Sequence, residues 1–263
     1  MTDYLDICEQ AARAGGQVLL DWQDRFAVRE KAPADLVTEA DLASQQRVRE
    51  ILLGAFPDHG FLGEEGDAEG QAGRSEAPYR WIVDPLDGTT NYVHGVPIYC
   101  VSIALEESGR IVVATVYNPV TQQCFTAAEG RGAYLNGDRL TTSGVSCLAD
   151  SLVAVSFANK ADQRSSEVAR FVEILPTCHA IRRFGSCALN LCMLAAGRID
   201  AYWATSTQAW DMAAGLLLVQ EAGGVITGID GSPVDLADPR FAAAATEPLH
   251  EELIGRLARA VEK

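Results

Sequence analysis

The sequence predicts a layered α/β protein whose two halves differ in pattern. In the first half, two amphipathic helical segments precede a stretch of alternating apolar residues, which indicates helices combined with an antiparallel sheet. In the second half, short apolar strands alternate with helical segments, a pattern typical of α/β layering. We therefore expect an α+β half at residues 1–145 and an α/β half at residues 146–263, which share one site.

The elements of the first half follow from apolar spacing and from caps. Thr38 and Asp41 match a capping box, with Thr38 as the N-cap and Asp41 as the acid at N3. Gly130 and Gly132 lack the third glycine and the following helix of a nucleotide loop, so they predict a turn between strands. The spacing predicts helices over Asp3–Asp24 and Thr38–Phe56, a surface loop at 67–78, a hairpin within Tyr99–Thr126 and a strand at Gln123–Ala127.

The second half continues the alternation of strands and helices. Asp211 precedes a run of small and apolar residues, and its spacing alone favours an N-cap role. The pattern predicts strands near Leu152–Ser156, Ala201–Trp203, Val225 and Phe241, and helices at Ser165–Leu175, at Ser186–Ala196, after Asp211 and from Pro248.

Composition limits the class of protein. The 263 residues are 48% hydrophobic and 22% charged, as in ordinary globular chains, and no apolar run approaches the length that spans a membrane. The formal net charge of −15 argues against binding to a nucleic-acid backbone. Seven cysteines without Cys-x-x-Cys spacing, among them Cys8 and Cys192 in apolar helical patterns, predict core thiols in a reducing cytoplasm. We expect neither a nucleic-acid nor a membrane partner.

The segment Trp81–Thr90 carries the strongest chemical signal. An apolar run stops at Asp84, and Pro85 is expected to end the strand's hydrogen-bond ladder. Asp84 and Asp87 then lie close together, where unpaired carboxylates need a cation, and hard oxygen ligands favour Mg²⁺ or Mn²⁺. Thr89 stands where a helix could begin and offers a hydroxyl and free N–H groups to an anion. The alternative is an Asp-rich turn without a ligand.

Three further groups of acids accompany this segment. Glu64 and Glu65 follow a short apolar piece, and Glu64 is the stronger candidate for a metal ligand; a solvated acidic loop is the alternative. Asp41 could face the site as well as cap a helix. Asp211 could combine capping with metal binding, because a carboxylate has two oxygens.

Together these segments resemble the inositol monophosphatase family of Mg²⁺-dependent, typically lithium-sensitive phosphatases. The resemblance implies a layered αβαβα sandwich, a homodimer, and direct attack of water on a small phosphate monoester with two or three Mg²⁺ ions. The matching segments are Asp35–Asp41, Gly63–Glu65, Asp84–Asn91, Trp210–Asp211 and Glu221–Gly224, in the family's order.

The resemblance also implies roles for single residues. Thr89, hydrogen-bonded to Asp41, would orient the attacking water. Lys31 could lie nearby or be a solvated surface lysine. The implied metal ligands are Glu64, Asp84 and the Leu86 carbonyl for the first ion, Asp84, Asp87 and Asp211 for the second, and Glu64 for a third. The implied substrate contacts are Asp87, Gly88, Thr89, Gly185, Ser186, Cys187, Gln208 and Asp211.

Two positions depart from the inositol-specific pattern. Ala204 stands where such members have a glutamate that binds ring hydroxyls, and Gln208 stands where histidine is frequent. Cys187 replaces the usual alanine and is not expected to be a nucleophile, since no histidine adjoins it. The substrate therefore stays open between inositol phosphate, another polyol phosphate, histidinol phosphate, fructose bisphosphate and a 3′-phosphoadenosine nucleotide. A catalytically silent, metal-binding regulatory homologue is the alternative of a different class.

Overall fold

A computed structural model describes residues 4–23, 25, 28–32, 35–65, 77–158 and 162–261. The predicted surface loop at 67–78 lies outside these residues except for Ala77 and Pro78, and so does the side chain of Lys31. The helices are α1 (Tyr4–Trp22), α2 (Glu39–Ala55), α3 (Thr89–Val93), α4 (Ser166–Ile174), α5 (Cys187–Ala195), α6 (Ala209–Glu221) and α7 (Glu247–Arg259), with a 3₁₀ turn at Leu148–Asp150.

The strands form a short hairpin and two larger sheets. The hairpin pairs β1 (Val28–Ala32) with β2 (Asp35–Thr38). The seven-stranded sheet runs in chain order through β3 (Gly60–Gly63), β4 (Tyr79–Asp87), β5 (Cys100–Glu107), β6 (Arg110–Asn118), β7 (Gln123–Ala128), β8 (Gly132–Leu135) and β9 (Asp138–Arg139). The five-stranded sheet has the order β11 (Ala180–Arg182), β10 (Leu152–Ser156), β12 (Ala201–Ala204), β14 (Phe241–Ala244) and β13 (Val225–Gly228).

Five layers alternate between helices and sheets, as predicted. The pair α1 and α2 packs on one face of the seven-stranded sheet, and α5 and α6 lie between the two sheets. The pair α4 and α7 covers the outer face of the five-stranded sheet. Each interface between layers is a cluster of buried apolar side chains, so burial of hydrophobic surface stabilises the stack.

The central core joins the two predicted halves. The first large sheet ends at Arg139 and the second begins at Leu152. The cluster around α5 and α6 nevertheless takes side chains from both, such as Ile82 and Phe125 from the first and Tyr202 and Phe241 from the second. The division at residues 145 and 146 stays a prediction.

Two local expectations at the site are corrected. The β4 ladder does not end at Pro85, because a bulge accommodates the proline: Asp84 pairs with Ser102, and Asp87 pairs with Cys100. Pro85 and Leu86 thus lie opposite a single residue of β5. Asp211 is not the N-cap of α6; Gln208 is, and Asp211 is the third helical residue.

The cysteine and membrane expectations have simple structural counterparts. All seven cysteines lie in the described residues and are free, and Cys8 and Cys192 are fully buried. Within the described part of the chain, we find no helix whose length and apolar character would let it cross a membrane.

Candidate active site

The bulge in β4 places Asp84 at the centre of the site. Its Oδ1 accepts a hydrogen bond of 3.0 Å from the Leu86 N–H, which holds the bulge closed around the carboxylate. The Ser44 hydroxyl of α2 donates to the Pro85 carbonyl at 3.0 Å. The Pro85 carbonyl, which lies in the bulge, therefore has a hydrogen-bond donor from the neighbouring helix.

Asp87 joins the first sheet to the start of α5. Its carboxylate accepts from the Ser186 hydroxyl at 2.6 Å, the Ala188 N–H at 2.7 Å and the Cys187 N–H at 3.1 Å. An anion at a helix N-terminus is stabilised by the free N–H groups and the helix dipole. Asp87 therefore brings the predicted substrate residues Ser186 and Cys187 to the acidic group.

Gly185 is held against α3 through Asn91. The Asn91 amide donates to the Phe184 carbonyl at 2.7 Å and to the Ile98 carbonyl at 2.8 Å. Gly185 has φ of 84°, and a Cβ there would lie 2.9 Å from the Asn91 Nδ2. Only glycine fits this close approach without strain.

Asp211 enters the site from the first turn of α6. Its Oδ2 accepts from the Gln208 N–H at 2.7 Å, which returns the side chain toward the helix start. The Ser102 hydroxyl of β5 donates to the Trp210 carbonyl at 3.5 Å. The Asp211 carboxyl thus lies close enough to Asp84 and Asp87 to interact with both electrostatically.

Glu64 follows β3 and completes the acidic group. Its N–H donates to the Val83 carbonyl at 3.2 Å, which extends the pairing of β3 with β4 by one residue. Its charge contributes to the raised pKa of Asp84 and of Asp211. Glu64 and Asp211 are partly exposed, whereas Asp84 and Asp87 are buried.

Gln45, which is not among the predicted site residues, fixes the Glu64–Glu65 segment. The Glu65 N–H donates to Gln45 Oε1 at 2.9 Å, and Gln45 Nε2 donates back to the Glu65 carbonyl. We call these two hydrogen bonds between Gln45 and the Glu65 backbone the clasp. A Cβ on Gly63 would lie 2.6 Å from Gln45 Cδ, so only glycine leaves room for the Gln45 side chain. The signal was present: Ser44 and Gln45 are polar residues on the face of α2 that buries Val48.

The acidic group is electrostatically strained. Burial, followed by the charges of Glu64, Asp87 and Asp211, raises the pKa of Asp84 well above its usual range. Desolvation, then the charge of Asp87, raises the pKa of Asp211 to about 8. Burial also raises the pKa of Asp87, although its hydrogen bonds from α5 oppose that effect. Like charges at this density require protons or a cation.

Thr89 and Asp41 meet as the resemblance implied. The Thr89 hydroxyl lies 3.4 Å from Asp41 Oδ1 and 3.1 Å from the Leu86 carbonyl. Asp41 also completes the predicted capping box with the Thr38 N–H at 2.9 Å. Burial raises the pKa of Asp41 to about 6, against the hydrogen bonds from Thr38.

The N-terminus of α3 lies beside this pair. Gly88 is its N-cap with φ of 94°, and a Cβ there would lie 2.8 Å from the Ile98 carbonyl. The glycine thus allows the chain to turn from β4 into α3 directly after Asp87. The N–H groups of Gly88 and Thr89 belong to this helix start, where phosphate binding is predicted.

The donor set fits a hard divalent cation. Three carboxylates have raised pKa values, and carboxylate oxygens are ligands that Mg²⁺ and Mn²⁺ prefer. In the described ranges, no basic side chain forms an ion pair with Asp84, Asp87 or Asp211. Among the described residues, however, no three acidic, histidine or cysteine side chains lie close enough together to form a metal-binding group. The ligand assignments stay predictions.

The thiol of Cys187 is unsuited to nucleophilic attack. Burial, then the charges of Asp211 and Asp87, raises the pKa of Cys187 well above its usual range. The thiolate, which is the reactive form, is therefore disfavoured. This geometry supports the expectation that Cys187 is not a nucleophile.

Comparison with known proteins agrees with this geometry. The family model described as "Inositol monophosphatase family" matches residues 2–262. The chain belongs to the inositol monophosphatase family. It is accordingly a phosphoric monoester hydrolase of a family that is generally metal-dependent and acts on small phosphorylated substrates.

Individual members of the family cover nearly the whole chain. The Nus factor SuhB of Pseudomonas aeruginosa is 42% identical over 253 residues, which are 94% of this chain and 93% of that protein. An inositol-1-monophosphatase of Rhizobium meliloti is 40% identical over 86% of each chain. The solved IMPase of Thermotoga maritima superposes with a TM-score of 0.88 at 30% identity and covers 99% of both chains.

Proposed function

We propose that this protein hydrolyses a small phosphate monoester, myo-inositol monophosphate or a related polyol or sugar phosphate, with two or three Mg²⁺ ions. The single observation that carries the proposal is the group of Asp84, Asp87 and Asp211. Their raised pKa values and their lack of ion-paired basic side chains in the described ranges call for a bound cation. The predicted ligands are Glu64, Asp84, Leu86, Asp87 and Asp211, and Mn²⁺ is an alternative ion.

When bound, the ions supply positive charge that offsets the carboxylates and the phosphoryl oxygens. The chain's own residues then orient the reactants. The Thr89 hydroxyl, between Asp41 and the Leu86 carbonyl, is placed to hold the attacking water. The N–H groups of Gly88 and Thr89 hold phosphate oxygens. Water forms the new P–O bond, the ester P–O bond breaks, and the products are inorganic phosphate and the alcohol.

The alcohol part of the substrate is the open question within this proposal. Ala204, at the end of β12, has only a methyl side chain, so this side chain offers no acceptor to a ring hydroxyl. We propose a tolerant enzyme that accepts several small monoesters. Histidinol phosphate, fructose bisphosphate and 3′-phosphoadenosine nucleotides are the alternatives to polyol phosphates. A homodimer, lithium sensitivity and a cytoplasmic location complete the proposal.

The second candidate is a catalytically silent regulatory protein. Its support is that relatives from Pseudomonas aeruginosa and Pasteurella multocida bear the name Nus factor SuhB. The presence of every expected carboxylate favours catalysis. Turnover with saturating Mg²⁺ separates the two candidates.

The decisive experiment compares wild type, Asp84→Asn and Asp138→Asn. Hydrolysis of inositol-1-phosphate, histidinol phosphate and fructose bisphosphate is measured as kcat/KM with saturating Mg²⁺. We expect Asp84→Asn to lose nearly all activity, because the amide removes a negative charge that would help to hold the cations. Its unfolding temperature in EDTA should not fall, since the change relieves repulsion. Asp138→Asn is the control. It makes the same change of charge at an exposed residue of β9, so it should leave activity intact.

Two results would overturn the proposal. Near-wild-type activity of Asp84→Asn would remove the metal assignment. Wild-type protein without turnover of any phosphate monoester would leave the regulatory candidate. A preference for inositol-1-phosphate far above about two orders of magnitude would contradict only the tolerance, because that is the scale of selection by shape.

A further inference from the structure

The turn between β12 and α6, residues 205–208, directs all three of its hydroxyl groups to protein acceptors. The Thr205 and Ser206 hydroxyls donate to Glu167 Oε1 at 2.7 and 2.6 Å. The Thr207 hydroxyl donates to the Pro239 carbonyl at 2.6 Å. The proton of each hydroxyl is thus used within the protein.

Glu167 connects this turn to a second loop. It lies in the first turn of α4 and is only 8% exposed. Its Oε1 also accepts from the Ala158 N–H at 3.1 Å, just beyond the end of β10. One carboxylate oxygen therefore holds three donors from two separate segments. Such charge-assisted hydrogen bonds are stronger than neutral ones.

The charge state of Glu167 fits this role. Burial raises its pKa, but the hydrogen bonds from Ser206, Thr205 and Ala158 outweigh that effect, so the pKa lies below its usual range. The charge of Arg183 acts in the same direction. Glu167 is thus an ionised acceptor at neutral pH.

The position of the turn relates Glu167 to the active site. Strands β10, β11 and β12 are parallel, so their C-terminal ends meet at one edge of the sheet. The loops after β11 and β12 lead into α5 and α6, which hold Asp87 and carry Asp211. In such sheets, ligands bind outside the carboxyl ends of the strands. The 205–208 turn therefore borders the substrate side of the acidic group.

We propose that Glu167 is a positioning residue for substrate selection, which holds the 205–208 turn in one conformation and so shapes the wall that contacts the alcohol part of a phosphate monoester. The inference rests on the proposed function. Without Glu167 the turn samples other conformations, and each binding event must order it again. Apparent affinity then falls with the population of the competent conformation.

The experiment compares Glu167→Ala with Glu167→Gln and Glu173→Ala. Glutamine keeps an oxygen acceptor at the same place. Glu173 lies on the same helix, beside Arg256 of α7, so its variant controls for disturbance of α4. KM and kcat are measured for inositol-1-phosphate and for glycerol phosphate with saturating Mg²⁺. Hydrogen–deuterium exchange of residues 205–208 is measured in the same proteins without substrate.

We expect Glu167→Ala to raise KM about tenfold, the factor of a 1.4 kcal/mol loss of binding, with kcat within about twofold of wild type. Exchange of the 205–208 amides should be faster in this variant. Glu167→Gln should restore most of both properties, and Glu173→Ala should match wild type. A Thr205→Val/Ser206→Ala variant should reproduce the effect, and combining it with Glu167→Ala should add little.

Three outcomes would overturn the inference. Unchanged exchange and KM in Glu167→Ala would show that the turn is held by other contacts. A fall in kcat alone would place Glu167 in the chemistry instead. Equal effects of Glu173→Ala would show a general disturbance of α4. If wild type hydrolyses no monoester, the proposed function fails, and the exchange measurement still decides whether Glu167 positions the turn.

Discussion

The buried aspartates of the site differ in how the protein compensates their negative charge. Asp84 is buried beside other carboxylates, whereas Asp87 is buried against the N–H groups of α5. The same residue type thus meets repulsion in one place and compensation in the other. Asp84 therefore needs a cation more than Asp87 does, because the protein already stabilises the charge of Asp87.

Thr89 can be tested by removing its hydroxyl. Thr89→Ala should lower kcat about 10²-fold with little change in KM, because a contact that orients water acts in the transition state. Thr90→Ala is the matched control, since Thr90 is exposed on the same short helix. Steady-state kinetics with saturating Mg²⁺ provide the measurement. A rise in KM alone would reduce Thr89 to a phosphate-binding group.

The acidic group predicts a pH-dependent stability without metal. The folded pKa of Asp211 is about 8, above its unfolded value, so the folded protein binds more protons between these values. Stability in EDTA should therefore fall as pH rises from about 4 to 8. Thermal unfolding should show this loss as a Tm that falls with rising pH, by about 2–4 °C for each 1 kcal/mol in a chain of this size.

Mg²⁺ should reverse that trend. Its stabilising effect should grow from pH 6 to pH 8, because at lower pH the ion must displace protons. Asp211→Asn should weaken the pH dependence in EDTA. A Tm in EDTA that rises steadily over this interval would contradict the assignment of a raised pKa.

At the level of elements, α2 supports the site from behind. Its buried face carries Asp41, Ser44 and Gln45, which contact Thr89, the Pro85 carbonyl and the Glu65 backbone respectively. One helix thus sets the geometry of three separate segments. Such supporting contacts orient metal ligands and tune their affinity.

Gln45 offers a clean test of this support. Gln45→Ala removes both hydrogen bonds to Glu65, so the Mg²⁺ concentration for half-maximal activity should rise about tenfold or more. Gln46→Ala is the control, because Gln46 is the next residue along the helix, is exposed, and donates a hydrogen bond to Glu50 of the same helix. Titration of activity with Mg²⁺ gives the answer. Equal curves for Gln45→Ala and wild type would show that Glu64 is positioned without the clasp.

Much of this element structure could be predicted from local signals. The capping box at Thr38 and Asp41 depends on residues three apart, so the sequence displays it directly. The bulge at Pro85 could not be predicted, because it depends on how β5 pairs with β4. The polar residue Gln45 on the buried face of α2 is visible in the sequence, but its partner is not, because Glu65 lies 20 residues away. The spacing at Asp211 suggested the wrong cap position because Gln208 is an unusual N-cap.

At the scale of the whole molecule, the middle helical layer fixes the distance between the sheets. Gly215 of α6 lies against Leu191 of α5, and a Cβ at this position would lie 2.5 Å from the Leu191 Cβ. Because α5 holds Asp87 and α6 carries Asp211, their close packing also sets how the carboxylates meet.

Gly215→Ala tests the close packing. Despite the usual helix-favouring effect of alanine, we expect a destabilisation of about 1–3 kcal/mol, since an overpacked core must shift its backbone. Gly54→Ala in α2 is the control. Its Cβ would meet no atom of the described residues within 4 Å, so the change should stabilise the protein by up to about 1 kcal/mol. Denaturant unfolding measures both. Stabilisation of equal size in the two variants would show that the layer can relax.

The hydrogen bond between Asp87 and the start of α5 can form only late in the synthesis of the chain. Asp87 and its donor Ala188 are 101 residues apart. At about 5–20 residues per second, a ribosome needs roughly 5–20 s to synthesise that interval. During this time Asp87 lacks the donors that α5 supplies to it. A chain that ends before residue 187 lacks α5 and Asp211, so we expect such a truncated chain to be inactive.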